Sequence, residues 1–225
     1  MKNKSKTKIA FILNIIIVVL TIIAFIIMLT DFKFMSGKET TIASSSIGRF
    51  RFFTIDSNLL MGIVALIFLI QQKKLLNGKT KEINKKYYIL NLMATSAVSL
   101  TFMITFFYLG QITPNGLLSM YMNTNLFFHG IIPVLSIINF IFFEKTDKLK
   151  IKDTFISLIP VIIYASYYLI NVLIHIENHK VSPEYDWYWF VQDGVWKIVF
   201  VVPLILGISY IISISLWKLN KTRKI

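Results

Sequence analysis

Residues 1–30 have the sequence MKNKSKTKIAFILNIIIVVLTIIAFIIMLT, in which four lysines precede a long apolar run. From Ile9 to Thr30 only Asn14 and two threonines interrupt the hydrophobic residues. About 22 residues at 1.5 Å each are enough to cross the hydrocarbon core of a bilayer, and they exceed the roughly 7 to 15 apolar residues of a signal peptide. The stretch therefore predicts a retained membrane-spanning helix.

The rest of the chain repeats this apolar pattern. Hydrophobic residues make up 56% and charged residues 16% of the 225 positions, whereas soluble domains hold about a quarter charged residues. Because no polar interval is long enough to fold alone, residues 1–225 are predicted to form a single domain. We predict an all-α polytopic membrane protein with six transmembrane helices at about residues 9–30, 54–70, 87–109, 126–143, 154–174 and 196–217.

The basic residues predict the orientation of the bundle. Eighteen of the 24 Lys and Arg lie in the two termini and in the connectors after the second and fourth spans. By the positive-inside rule both termini are expected in the cytoplasm. The net charge of +13 then reflects topology and attraction to anionic lipid headgroups, so nucleic acid is not an expected partner. Abundant Lys, Ile and Asn indicate a bacterial cell membrane, and the absence of Cys excludes thiol chemistry.

The start of the second span, RFRFFTIDSNLL at residues 49–60, is the least apolar opening of any hydrophobic segment. Polar side chains inside a span are costly in hydrocarbon and usually face a bundle interior or a wet cavity. At helical spacing Arg51, Thr54, Ser57 and Asn58 share one face, whereas Asp56 points the other way. We therefore predict that this stretch carries the chemistry of the protein.

A histidine of the fourth span lies at the same predicted depth. Thr54 and His129 are each within about one helical turn of the outer membrane boundary. A neutral imidazole within hydrogen-bond reach can activate a threonine hydroxyl as a nucleophile. Arg51 and Asn58 would either stabilise an oxyanion or hold an anionic lipid headgroup. The structural alternatives are that Thr54 caps the second helix and that His129 is a packed side chain.

Three short stretches resemble a known family: Phe52 to Leu60 (FFTIDSNLL), His129 to Pro133 (HGIIP) and Trp187 to Phe190 (WYWF). Together they resemble the androgen-induced membrane protein family, which includes the androgen-dependent regulator of tissue factor pathway inhibitor and bacterial integral membrane relatives. The resemblance implies a six-helix intramembrane hydrolase that cleaves fatty acid esters of hydroxy fatty acids. By position, Thr54 matches the threonine nucleophile of that family and His129 its histidine.

Two histidines near the end of the fifth span offer an alternative site. His175 and His179 are four residues apart, so they could share a metal ion if the segment is helical, with Glu177, Asp186 or Asp193 completing the shell. The pattern HIENH lacks the glutamate that directly follows the first histidine in zinc proteases. We interpret both histidines as loop residues and predict no metal or other cofactor, and a zinc-dependent lipid hydrolase of the alkaline ceramidase type stays the minority alternative.

The aromatic group Trp187, Tyr188 and Trp189 precedes the last span. Such residues are typical anchors at a membrane interface, and they could equally roof a pocket for an acyl chain. Taken together, the sequence predicts a threonine hydrolase or acyl-transferring enzyme acting on a lipid ester at the outer face. The alternative is a membrane protein that binds a lipid or small ligand in the same pocket without chemistry.

Overall fold

A computed structural model describes residues 2–37, 47–191 and 194–222 of the chain. Within these ranges six helices are long and apolar enough to cross a membrane. Each predicted span lies inside one of them, which confirms the prediction of an all-α, multi-pass membrane protein. The helices are α1 (Lys4–Thr30), α2 (Phe53–Leu76), α3 (Lys85–Ile112), α4 (Thr124–Phe143), α5 (Asp153–Ile174) and α6 (Val195–Lys221).

Small and hydroxyl side chains let the first three helices pack closely. A Cβ atom added to Gly62 of α2 would lie only 2.7 Å from Cγ2 of Thr21 on α1. On the other side of α2, Ser57 Oγ lies 3.0 Å from Thr101 Oγ1 of α3. Both arrangements are typical of helix contacts in membranes, where small residues allow close approach and hydroxyls bond across the interface.

Two of the helices are locally irregular. Helix α3 contains a π-helical turn at Thr105–Leu109, and α4 contains two, at Phe127–Ile131 and Asn139–Phe143. Such turns inside α-helices are frequent at functional sites. Pro133 has no N–H to donate to the carbonyl of residue 129, which accounts for the first irregular turn of α4. His129 lies within that turn.

We call the end of the bundle that holds the connectors after α1, α3 and α5 the loop end. It includes short 3-10 helices at Ile47–Arg51 and Leu117–Tyr121. It also includes an antiparallel hairpin of β1 (Ile176–Glu177) and β2 (Lys180–Val181). The backbone N–H groups of Phe34 and Met35 donate to Asn123 Oδ1 at 2.9 and 2.8 Å, so the start of the first connector folds onto the connector before α4.

The opposite end, which we call the termini end, holds a buried carboxylate. Glu144 follows α4 directly and is only 5% exposed, although the sequence places it in a polar connector. Its carboxylate accepts hydrogen bonds from Asn14 of α1 at 2.6 Å, from Gln72 of α2 at 2.9 Å and from Asn91 of α3. Four membrane helices are therefore tied together at one side chain.

Candidate functional site

A narrow apolar cavity of about 70 Å³ lies at the loop end of the bundle. Helices α2, α3, α5 and α6 form its walls, together with Tyr188 and Phe190 of the connector before α6. Most of the lining is aliphatic or aromatic, so the cavity suits a hydrocarbon segment. The hydroxyl-bearing residues in its wall are Thr54, Thr101, Thr105, Tyr164, Tyr168 and Tyr188.

Asn58 links the backbone at Thr54 to the backbone beside His129. Its Nδ2 atom donates to the Thr54 carbonyl at 2.8 Å and to the Phe128 carbonyl at 3.0 Å. Because both carbonyl oxygens lie within hydrogen-bond distance of one nitrogen, they are no more than about 6 Å apart. The backbone of α2 at Thr54 and the backbone of α4 at Phe128 therefore lie close together.

The imidazole of His129 is buried, with 6% of its surface exposed. Its Nδ1 atom lies 2.7 Å from the Met120 carbonyl, and its ring meets the Tyr121 ring edge-on at 6.3 Å between centroids. Since a carbonyl can only accept, Nδ1 carries the proton and Nε2 is left as the basic atom. Among the described residues Nε2 has no hydrogen-bond partner, and the Thr54 hydroxyl does not bond to it.

Helix α2 is capped by a tyrosine of a distant loop. The cap position is Phe52, which makes no side-chain cap bond, so the alternative that Thr54 caps the helix is wrong. Instead the Phe53 N–H donates to the Tyr188 hydroxyl at 2.8 Å. Burial above all raises the pKa of Tyr188 to about 12, so its phenol keeps a proton that it can donate. Tyr188 is a hydrogen-bond donor beside Thr54, whereas the sequence predicted it only as an interface anchor or part of a pocket roof.

The predicted supporting residues have other partners. Arg51 belongs to the 3-10 helix that precedes α2, so the prediction that it shares a helical face with Thr54 is wrong. Its guanidinium lies 5.2 Å from the Phe52 ring centroid and 5.3 Å from that of Trp187, and it donates to the Glu184 carbonyl. Both N–H bonds of the Asn58 amide are used on carbonyls. Neither side chain lines the cavity beside Thr54.

The other polar residues of the second span divide as the helical spacing predicts. Ser57 is buried and bonds to the Thr54 carbonyl and to Thr101. Asp56 lies on the exposed side of α2. The face of α2 that turns towards the bundle therefore carries hydroxyl and amide groups, and the carboxylate lies outside the site.

Two residues of the aromatic group before α6, Trp187 and Tyr188, are buried, and Trp189 is partly buried. Trp187 and Tyr188 are 2% and 7% exposed, so they are not anchors at a membrane interface. Trp187 Nε1 donates to the Tyr164 hydroxyl at 3.0 Å, and that hydroxyl donates to the Arg51 carbonyl at 2.7 Å. Tyr188 lines the cavity, whereas Trp189 lines a neighbouring groove. Tyr164 and Tyr168 were missed from the sequence, although their four-residue spacing on α5 places them on one face.

Asp186 holds this aromatic connector in place. It is completely buried, and its carboxylate accepts from the N–H groups of Phe190 and Val191 at 3.0 Å each and from the Tyr168 hydroxyl. These three hydrogen bonds fix the connector between α5 and α6, two of them within the connector and one to α5. Asp186 is therefore a structural carboxylate that fixes two residues of the cavity wall, Tyr168 and Phe190.

The alternative metal site at His175 and His179 is not formed as a helical pair. Helix α5 ends at Ile174, and His179 lies in the hairpin turn with a φ of 63°. The His175 ring stacks on Tyr185 at 3.5 Å between centroids. Within the described ranges no three His, Asp or Glu side chains come together as a metal site, and Asp193 lies outside those ranges.

Comparison of the chain with protein-family models, with curated proteins and with solved structures finds no match. The resemblance to the androgen-induced membrane protein family therefore stays a prediction, as do the roles that it implies for Thr54 and His129.

Proposed function

We propose that this protein is an intramembrane enzyme that cleaves or transfers the acyl group of a lipid ester, with Thr54 as the nucleophile and His129 as the base. The observation that carries the proposal is the Asn58 bridge, which holds the Thr54 backbone next to Phe128 while Thr54 lines an apolar cavity. An ester with a long hydrocarbon chain suits such a cavity, and the carbonyl would lie beside the Thr54 hydroxyl.

The reaction divides into two transfers of the acyl group. His129 Nε2 takes the hydroxyl proton as Thr54 Oγ1 attacks the ester carbonyl, and the proton then passes to the departing alcohol. Water, or a second alcohol, attacks the acyl-threonine in the same way and releases the acid or a new ester. The Met120 carbonyl supports this role because it fixes the tautomer in which Nε2 is basic.

Tyr188 is the donor best placed to support the oxyanion. Its hydroxyl oxygen already accepts the N–H of Phe53, which leaves its own proton available towards the cavity. A neutral phenol that donates in an apolar site stabilises developing negative charge without reorganisation. Tyr188 takes this role in the proposal because it lines the cavity, whereas Arg51 contacts the Phe52 and Trp187 rings and both N–H bonds of the Asn58 amide are used on carbonyls.

A second candidate is a protein that binds a lipid in the cavity without chemistry. It is favoured by two observations. The Thr54 hydroxyl and His129 Nε2 do not bond to each other in the described part of the chain, and His129 is not among the residues that line the cavity. Catalytic hydrogen bonds often form only when substrate is bound, so both candidates are consistent with this geometry.

Labelling with a fluorophosphonate probe separates the two candidates. The purified protein is treated in detergent, and the modified peptide is identified by mass spectrometry. We expect a label on Thr54 that survives in Thr54→Ser, is lost in Thr54→Ala and falls strongly in His129→Ala. Ser136→Ala is the matched control, because Ser136 is buried in α4 and bonds only within that helix. A bound lipid without any label in the wild type would favour the second candidate.

We also propose that the protein resides in the cell membrane with the loop end outside and both termini in the cytoplasm. The basic connectors at the termini end support this orientation by the positive-inside rule. Since the chain has no cysteine, a maleimide can label only the single cysteine that each variant introduces. In intact cells an impermeant maleimide should label Lys180→Cys and leave Lys79→Cys unlabelled, and the reverse pattern would invert the topology.

A further inference from the structure

The cavity beside Thr54 is too small for a whole acyl chain. Its volume is about 70 Å³, whereas an engineered apolar cavity that accepts benzene measures about 150 Å³. A chain of a dozen or more carbons therefore has to leave the cavity by some route.

The route is provided by a groove between α3 and α6. This groove measures about 930 Å³ and lies on the lipid-facing surface, where Phe107 and Leu204 are 64% and 61% exposed. It adjoins the cavity, because Ile104, Phe190, Val201 and Ile205 line both spaces. We call these four residues the neck.

Both helices beside the neck carry a feature at this level that disturbs a regular α-helix. Helix α3 has its π-helical turn at Thr105–Leu109, directly after Ile104. Helix α6 has Pro203 in its interior, between Val201 and Ile205. Proline removes one hydrogen bond and bends a helix, and a π-helical turn widens one. The neck therefore lies beside the π-helical turn of α3 and the interior proline of α6.

The groove carries a charged side chain at its loop end and is apolar further into the bundle. Lys197, in the first turn of α6, and Pro114 line it there, whereas Met103 and Ile208 line it further into the bundle. An ammonium at the end of an apolar groove complements a lipid whose headgroup is anionic and whose chain lies in hydrocarbon. Thr54 is also in the first turn of its helix, so an ester near the headgroup and the proposed nucleophile are at similar depth.

We infer that the acyl chain of a bilayer lipid ester enters the cavity sideways, through the neck between α3 and α6, with its headgroup beside Lys197. This inference rests on the proposed function, because it assigns the path by which the ester reaches Thr54. The bound chain occupies the cavity with one segment and the groove with the rest.

The test uses phosphatidylglycerol with a diazirine in its acyl chain, mixed into phosphatidylcholine vesicles that contain the full-length protein. After illumination, adducts are mapped by mass spectrometry. In the wild type we expect adducts on groove residues and on Leu100 and Val161, which line the cavity alone. Val201→Trp fills the neck and should lower the cavity adducts several-fold while groove adducts remain. Ile205→Trp is a second blocking variant, should the first fail to fold.

Val199→Trp is the matched control, because Val199 lies two residues earlier on α6, is 69% exposed and lines neither space. It should leave both sets of adducts unchanged. Cavity adducts that persist undiminished in folded Val201→Trp and Ile205→Trp overturn the lateral route but leave acyl binding in place. A wild type without adducts on Leu100 or Val161 overturns both the route and the acyl-binding part of the proposed function.

Discussion

Asn58 of α2 and Phe128 of α4 are joined by a 3.0 Å hydrogen bond between the buried amide and the Phe128 carbonyl. The same nitrogen holds the Thr54 carbonyl at 2.8 Å. We expect Asn58→Asp to lower the free energy of unfolding by about 2 kcal/mol or more, because a carboxylate has no donor for two buried carbonyls. The loss is measured as a lower midpoint of thermal unfolding in detergent.

Asn115→Asp is the control for the Asn58 variant, since Asn115 lies in an exposed turn. It should leave the midpoint within error of the wild type. If Thr54 and His129 act together, Asn58→Asp also lowers fluorophosphonate labelling of Thr54 in protein that is still folded. Full labelling of Thr54 in folded Asn58→Asp protein would show that the proposed chemistry does not depend on the Asn58 bridge.

Tyr188→Phe removes the only side chain that caps α2 among the described residues while keeping the ring in place. We expect the free energy of unfolding to fall by about 1 kcal/mol, because the Phe53 N–H loses its acceptor in a buried site. Hydrogen exchange at the Phe53 amide should accelerate. Tyr185→Phe is the control, since the Tyr185 ring stacks on His175 and its hydroxyl makes no hydrogen bond in the described ranges. Equal exchange in the two variants would contradict the cap.

The membrane helices were predictable from the sequence because the hydrocarbon core of a bilayer restricts the length and the composition of any helix that crosses it. Any span must be apolar for about 20 residues, and this length requirement is visible in composition alone. The sequence also predicted that Thr54 and His129 lie at a similar depth, and the structure brings the backbone at Thr54 close to the backbone at Phe128, next to His129. What could not be predicted was the direction of Arg51, because it depends on where α2 begins, and that point is set by Tyr188, 137 residues downstream of Arg51.

The burial of Trp187 and Glu144 shows a second limit. Both residue types are common at membrane boundaries, so their position in sequence indicates an interface. Burial is decided by partners on other helices, namely the Tyr164 hydroxyl for Trp187 and three side-chain amides for Glu144. Single asparagines and glutamines inside apolar helices were the available signal, because buried amides need partners.

Glu144 should make stability depend on pH. Burial raises the pKa of Glu144 to about 7 from its usual value near 4.5. The folded protein then binds this proton more tightly than the unfolded chain, so the stabilisation is complete below about pH 4.5 and is lost as pH rises towards 7. The side-chain amides of Asn14, Asn91, Gln72 and Asn139 lower the pKa of Glu144, but burial has the larger effect. We expect the free energy of unfolding to fall by roughly 1 to 3 kcal/mol between pH 5 and 8.

The pH effect is assigned by comparing variants. The amide side chain introduced by Glu144→Gln cannot titrate, so the unfolding midpoint of this variant should fall less than that of the wild type over the same range. Glu82→Gln is the matched control, because Glu82 and Glu144 both line a cavity of about 440 Å³ at the termini end, and Glu82 pairs with Lys148 at 2.9 Å on the surface. It should keep the pH dependence of the wild type. A wild-type midpoint that rises from pH 5 to 8 would show that Glu144 is stabilised as the carboxylate.

Gly62 and Gly207 give opposite responses to the same substitution. A Cβ at Gly62 would lie 2.7 Å from Thr21 Cγ2, and Thr21 is held by the bond from its hydroxyl to the Ile17 carbonyl at 2.8 Å. Gly62→Ala therefore forces α1 and α2 apart and should cost about 1 to 3 kcal/mol. At Gly207 the added Cβ meets open space, so Gly207→Ala should be neutral or stabilise by up to about 1 kcal/mol through helix propensity. The thermal unfolding midpoints of the two variants test this order of stability. A Gly207→Ala protein that is less stable than the Gly62→Ala protein would contradict the prediction.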